Sequence, residues 1–124
     1  MPTNKKVAIV EDDLFLRRLY ENKISEAGYE VVTAEDGEAG LEMIIKTKPD
    51  LVLLDITMPK MNGWEVLAEI RKLPALAGLK VVFLTNEDRP EDYQFAQDLQ
   101  VDGYLIKAHV LPSEVLLKVK ALIG

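Results

Sequence analysis

Short apolar runs rich in β-branched residues alternate along the chain with longer stretches whose apolar positions recur at three- and four-residue spacing. The short runs are Val7-Ala8-Ile9-Val10, Tyr29 to Thr33, Leu51 to Leu54, Val81 to Leu84 and Tyr104-Leu105-Ile106, and they predict five strands. The stretches between them carry Leu16, Tyr20, Ile24 and Ala27, then Leu41, Ile44 and Ile45, then Val66, Leu67 and Ile70, then Tyr93, Ala96 and Leu99, each the stripe of an amphipathic helix. A closing helix is predicted with Leu116, Val119 and Ile123 as its stripe. Strands that are apolar almost throughout, separated by helix-length crossovers, call for a parallel sheet covered on both faces, which is a doubly wound α/β fold. Punctuation agrees: Gly28 is placed to end the first helix, Asp36 to cap the second, and Pro49, Pro59, Pro74 and Pro90 fall between elements.

Composition narrows the picture. With 124 residues, 48% of them apolar and 29% charged, the chain suits one compact domain with one core. It has no cysteine, so neither disulfides nor thiolate metal sites can support it, and a cytoplasmic setting is expected. The polar start from Met1 to Lys6 leads into an apolar segment too short for a signal-peptide core or a membrane span. A net charge of -6 leaves no basic stripe for displacing counterions from nucleic acid, so partners are expected to be proteins. There is no linker, repeat or low-complexity segment, and the last helix runs out at Gly124, so residues 1–124 are read as a single domain whose response must pass through a partner.

Candidate chemistry lies at the strand ends. Open parallel sheets bind ligands beyond the carboxyl ends of their strands, and here those ends are Glu11-Asp12-Asp13, Asp55, Thr85-Asn86-Glu87 and Lys107. Taken singly, each has an ordinary explanation: acids before a helix compensate its dipole, a strand-end threonine bonds backbone, and a lysine lies on the surface. Asp55 resists it, because a carboxylate directly after Leu51-Val52-Leu53-Leu54 sits at a costly, partly buried place unless its charge is used. Carboxylates gathered at one edge repel unless a cation neutralises them, and magnesium, which holds one or two carboxylates and several waters, leaves a position for a phosphate oxygen.

The order and spacing of these fragments resemble the response-regulator receiver family. The carriers are Val10-Glu11-Asp12-Asp13, Glu35-Asp36-Gly37, Leu53-Leu54-Asp55-Ile56-Thr57-Met58-Pro59, Asn62-Gly63, Leu84-Thr85 and Gly103-Tyr104-Leu105-Ile106-Lys107, which span essentially the whole chain. The resemblance implies a flavodoxin-like sheet of order 2-1-3-4-5 and a phosphoryl group accepted on Asp55 from a sensor histidine kinase or phosphotransfer protein. It implies Mg2+ held by Asp12 and Asp55 directly, by Glu11 through water and by the Thr57 backbone carbonyl. Lys107 and Thr85 would contact the phosphoryl oxygens, and Thr85 with Tyr104 would form the switch. The readout face would be the fourth helix, fifth strand and fifth helix, carrying Tyr93, Phe95, Tyr104, Val115, Leu116 and Leu117, toward a downstream protein or a second copy of the chain. Such a domain catalyses only its own phosphorylation and dephosphorylation.

Three positions depart from the family pattern: Ala108 stands where proline is usual after the lysine, Gln100 where a helix-ending glycine is frequent, and Leu111 where a capping threonine is typical. A cis bond before alanine costs about 2.5 to 4 kcal/mol, against about 0.5 to 1 before proline, so the Lys107–Ala108 bond is expected to be trans. A haloacid-dehalogenase-like phosphatase would need a second aspartate where Thr57 stands, and a flavodoxin-like carrier would need a glycine-rich phosphate loop that is absent. The remaining alternative is a receiver-like binding module that is not regulated by phosphorylation, which the intact set of Asp12, Asp55, Thr85 and Lys107 disfavours.

Overall fold

The computed structural model describes residues 4–124. Met1 to Thr3, part of the polar start read above, lie outside the described residues. Strands β1 (Lys6–Val10), β2 (Glu30–Ala34), β3 (Leu51–Leu54), β4 (Lys80–Thr85) and β5 (Gly103–Ile106) alternate with helices α1 (Leu14–Glu26), α2 (Gly37–Thr47), α3 (Gly63–Arg71), α4 (Pro90–Asp98) and α5 (Pro112–Ile123). All strand pairs are parallel, as the apolar pattern predicts, and the order is β2-β1-β3-β4-β5, as the family resemblance implies. Strand order reverses between β1 and β3, the place where open α/β sheets bind ligands.

Period-two alternation sorts the strand side chains into two cores. Ala8, Val10, Val52, Leu54, Val81 and Phe83 point to the face covered by α2, α3 and α4 through Ile44, Val66, Leu67, Ile70 and Ala96. Val7, Ile9, Leu51, Leu53, Val82 and Leu84 point to the face covered by α1 and α5 through Tyr20, Ile24, Val115 and Val119. The central strand β3 is buried along its whole length, whereas the edge strands β2 and β5 are only half-buried.

Two predicted stripes differ in detail. On α5 the predicted Leu116, Val119 and Ile123 all pack on the core, Val119 buried and the other two half-buried, and Val115, which was not in the predicted stripe, is buried beside them while Leu117 is exposed. On α2, Ile44 is buried but Ile45 is exposed. Asp36 caps α2 by accepting from the Ala39 N–H at 2.7 Å, and Gly28 follows α1 at φ 99°, the left-handed conformation that glycine adopts without strain.

The departures from the family pattern are resolved individually. Every peptide bond among the described residues is trans, including Lys107–Ala108, and residues Lys107–His109 form a single 3₁₀ turn after β5. Gln100 keeps the left-handed turn at φ 57° even though it carries a Cβ, and the Arg71 guanidinium donates to its carbonyl at 3.2 Å. No helix among the described residues is long and apolar enough to cross a membrane.

Candidate phosphoryl-acceptor site

Register brings the acids together. The Asp55 N–H donates to the Val10 carbonyl at 3.1 Å, so the residues that follow β1 and β3 lie side by side at the carboxyl edge. The turn after β3 is tight: Gly63, which opens α3, sits where a Cβ would lie 2.3 Å from the Asp55 carbonyl oxygen, so only glycine lets the helix start this close to the acceptor strand. Asn62 and Glu65 close that helix start with a reciprocal capping box.

The acids then divide their work. Asp13, not Glu11 or Asp12, caps α1, accepting from the Leu16 N–H at 2.9 Å. Glu11 turns inward: one carboxylate oxygen accepts from the Asp13 N–H at 3.1 Å and the other pairs with the Lys107 ammonium. The same ammonium donates to Asp55 at 2.8 Å, while the second Asp55 oxygen accepts from the Ile56 N–H at 2.7 Å. Asp12 remains exposed beside this pair, and carboxylate oxygens of Glu11, Asp12 and Asp55 lie within 4.8 Å of one another. Three acidic groups so close favour a hard cation, the donor set expected for Mg2+.

Burial sharpens the electrostatics. The Lys107, Glu11 and Asp55 side chains are 8%, 3% and 7% exposed. Burial pushes the Glu11 carboxyl up from its ordinary value, with the Lys107 hydrogen bond opposing that push. Burial alone would lower Lys107, but its hydrogen bonds to Asp55 and Glu11 outweigh this and hold the ammonium above its ordinary value, so it stays charged.

These groups face a cleft of about 280 Å³ lined by five carboxylates, of Glu11, Asp12, Asp13, Asp55 and Glu87, and by one ammonium, Lys107. Thr85, the last residue of β4 and 1% exposed, presents its hydroxyl there. Thr57 lines the mouth, and its hydroxyl donates to Glu87 at 2.6 Å. Tyr104 stands outside the cleft: its hydroxyl donates to the Glu87 carbonyl at 2.6 Å and its ring packs against Phe83 and Tyr93, at centroid distances of 6.0 and 5.4 Å. Burial, and then the charges of Asp92 and Glu87, push its phenol up to about 12. Glu11, Asp12, Asp55, Thr57, Thr85 and Lys107 therefore converge on this cleft, and Tyr104 stands beside it. Glu87 and the capping role of Asp13 were not assigned from the sequence, although both residues stand in the strand-end segments singled out there.

A family model described as the response regulator receiver domain matches residues 7–119. The chain belongs to the response-regulator receiver family. Among curated relatives, this receiver is 34% identical over 120 residues to the alkaline phosphatase synthesis transcriptional regulatory protein PhoP of Bacillus subtilis, a match covering 97% of this chain and 49% of the other. It is 35% identical over 119 residues to the probable transcriptional regulator ycf27 of Cyanophora paradoxa, covering 96% of this chain and 48% of that one. The receiver thus spans about half the length of the curated relatives it matches. Among solved structures, the Vibrio cholerae chemotaxis protein CheY4 superposes with a TM-score of 0.88 at 29% identity, covering 98% of this chain and 100% of the other.

Proposed function

We propose that this receiver accepts a phosphoryl group on Asp55 from a histidine kinase or phosphotransfer protein and answers by changing a protein-binding face. The observation that carries the reading is the Lys107 ammonium, buried and bonded to both Asp55 and Glu11 within a cleft whose other charged lining groups are all carboxylates. Glu11, Asp12, Asp55 and the Thr57 carbonyl would hold Mg2+, which supplies charge neutralisation for the transferring group.

This chain's own residues account for the rest of the step. An Asp55 carboxylate oxygen attacks phosphorus, the bond from phosphorus to the donor nitrogen or oxygen breaks, and the donor leaves with that electron pair. Asp55 is then an acyl phosphate. Lys107 exchanges its Asp55 contact for a phosphoryl oxygen without losing charge, because Glu11 still holds it. Thr85 accepts from the Glu87 N–H at 3.2 Å, so its own hydroxyl proton is available to a phosphoryl oxygen. Drawing Thr85 inward changes the space open to Tyr104, and this differential contact biases the switch.

The proposed readout face carries a groove of about 490 Å³ lined by Pro90, Tyr93, Tyr104, Ile106 and His109. Tyr93 is exposed on it and Phe95 and Leu117 are exposed elsewhere on α4 and α5, whereas Val115 belongs to the core and is removed from the face inferred from the sequence. We read the domain as cytoplasmic, free of direct nucleic-acid contact, and catalytic only toward its own phosphorylation and dephosphorylation. Intact-mass measurement after incubation with acetyl phosphate and magnesium tests this. One phosphoryl group added to wild type and none to Asp55→Asn is expected, and equal labelling of the variant overturns the assignment of Asp55. A chain that takes up no phosphate at all is a receiver-like binding module instead.

A further inference from the structure

Asp36 and Gly37 open α2 and take no part in the chemistry proposed for the cleft. Gly37 is not among the residues with positive φ, so conformational freedom does not explain a glycine there. Space does. A Cβ on Gly37 would lie 1.8 Å from the Met61 carbonyl oxygen and 2.6 Å from the carbonyl carbon. Those atoms are backbone of the loop that runs from Asp55 to α3, so Gly37 is the floor on which that loop rests. Gly63 holds the other end of the same loop, where its N–H donates to the Ile56 carbonyl at 2.8 Å.

The loop needs holding. Lys60 carries a Cβ yet sits at φ 71°, inside a turn closed by the Met61 N–H donating to the Pro59 carbonyl at 2.8 Å. Left-handed backbone at a residue other than glycine persists only where the surroundings impose it. Here the Met58 and Met61 side chains pack against the core beneath the loop. Asp36 adds a tie from α2: one carboxylate oxygen caps the helix at 2.7 Å and the other lies 3.9 Å from the Lys60 ammonium. We propose that Gly37 is a positioning residue for the metal: by letting the Met61 carbonyl rest directly on α2, it fixes the loop that carries Thr57 beside Asp55. This role rests on the cleft being a magnesium site with the Thr57 carbonyl among its donors. Magnesium demands near-ideal octahedral geometry, whereas calcium accepts flexible arrangements of oxygens. A Cβ that lifts the loop therefore penalises magnesium more than calcium.

The test is calorimetric titration of wild type, Gly37→Ala, Met61→Ala and Gly40→Ala with magnesium and with calcium, at a temperature where circular dichroism in chelator shows each protein folded. Gly37→Ala is expected to lose about tenfold in magnesium affinity, as when the support of a metal ligand is disturbed, and less than about threefold in calcium affinity. Met61→Ala leaves α2 intact and removes the side chain that seats the loop. It is expected to shift the ratio of the two affinities the same way by a smaller factor, and it decides alone if Gly37→Ala does not fold. Gly40 lies on the same helix, but a Cβ there would meet the Val10 side chain at 2.6 Å. Gly40→Ala therefore strains the core without touching the loop, and its ratio should equal that of wild type. An unchanged ratio in Gly37→Ala, or in Met61→Ala where that variant decides, overturns the proposal, as does an equal change in Gly40→Ala. A wild type that binds no magnesium overturns the metal reading itself and this role with it, whereas wild-type binding with unchanged variants overturns this role alone.

Discussion

Lys107→Met puts the charge arrangement under the greatest stress. The ammonium bonds two carboxylates that are at least as buried as itself, and methionine keeps much of the stem while leaving Glu11 and Asp55 facing each other without a counter-charge. Removing one partner from a buried ionic cluster costs about 3 to 5 kcal/mol. Protonation limits that loss: from an ordinary Glu value of 4.5, taking up a proton at pH 7 costs about 1.4 kcal/mol per pH unit, or about 3.4 kcal/mol. The expected loss at pH 7 without divalent ion is therefore about 3 kcal/mol, a large share of the roughly 5 to 15 kcal/mol that holds a domain together. The sign of the pH dependence follows from Glu11, whose folded value lies above its unfolded one. Stability linked to its protonation is fully present below about pH 4.5 and is lost as pH rises through the folded value, and loss of Lys107 raises that folded value further. Urea denaturation of wild type and variant at about pH 5 and pH 7, with chelator and with magnesium, reads all of this. The deficit should be smaller at the lower pH and smaller again with magnesium. A deficit under about 1 kcal/mol at pH 7, or one that neither acid nor magnesium reduces, refutes the view that Lys107 neutralises these carboxylates.

Asp12→Ala should melt no lower than wild type without metal, because Asp12 is exposed and adds only repulsion, yet it should lose most of the magnesium-induced rise in melting temperature. A variant that melts well below wild type in chelator shows a structural role instead. Leu111, the exposed residue preceding α5, offers no acceptor oxygen, and Glu114 already accepts from its N–H at 2.8 Å. Leu111→Thr should therefore stabilise the protein by about 1 kcal/mol in urea, and no gain contradicts the capping argument. Tyr104, with a folded value raised to about 12, contributes stability that is complete below its unfolded value of about 10 and fades as pH rises toward 12. The tyrosinate absorbance missing from Tyr104→Phe should accordingly appear near pH 12 in wild type, and an appearance near 10 shows an unburied phenol.

The strands were legible because β1, β3 and β4 are buried on both faces, and such strands write themselves as unbroken apolar runs. The omission of Val115 from the α5 stripe has the opposite cause. Val115, Leu116 and Leu117 offer consecutive apolar residues, several stripes fit them equally, and the choice of Val115 is made by the Val82 and Leu84 face of the sheet, which periodicity does not encode. Ile45 follows Ile44 in the same way. At the site, the carboxylates and Lys107 could be read because strand ends are defined positions. The role of Glu87 could not, since its partners Thr57 and Tyr104 are brought to it by loop backbone rather than by any spacing. Gln100 was visible as a departure, but that the backbone would hold φ 57° despite the Cβ depends on tertiary contacts such as the Arg71 guanidinium.

The measurement that bears most directly on the central claim is chemical trapping of the acceptor. After exposure to acetyl phosphate and magnesium, borohydride reduction converts an aspartyl phosphate to homoserine, and peptide mapping locates the converted residue. Conversion at Asp55 alone, absent without magnesium and sharply reduced in Lys107→Met, is the predicted result. Conversion at Asp12 or Asp13 in wild type, or labelling at Asp55 that is indifferent to both magnesium and Lys107, contradicts it.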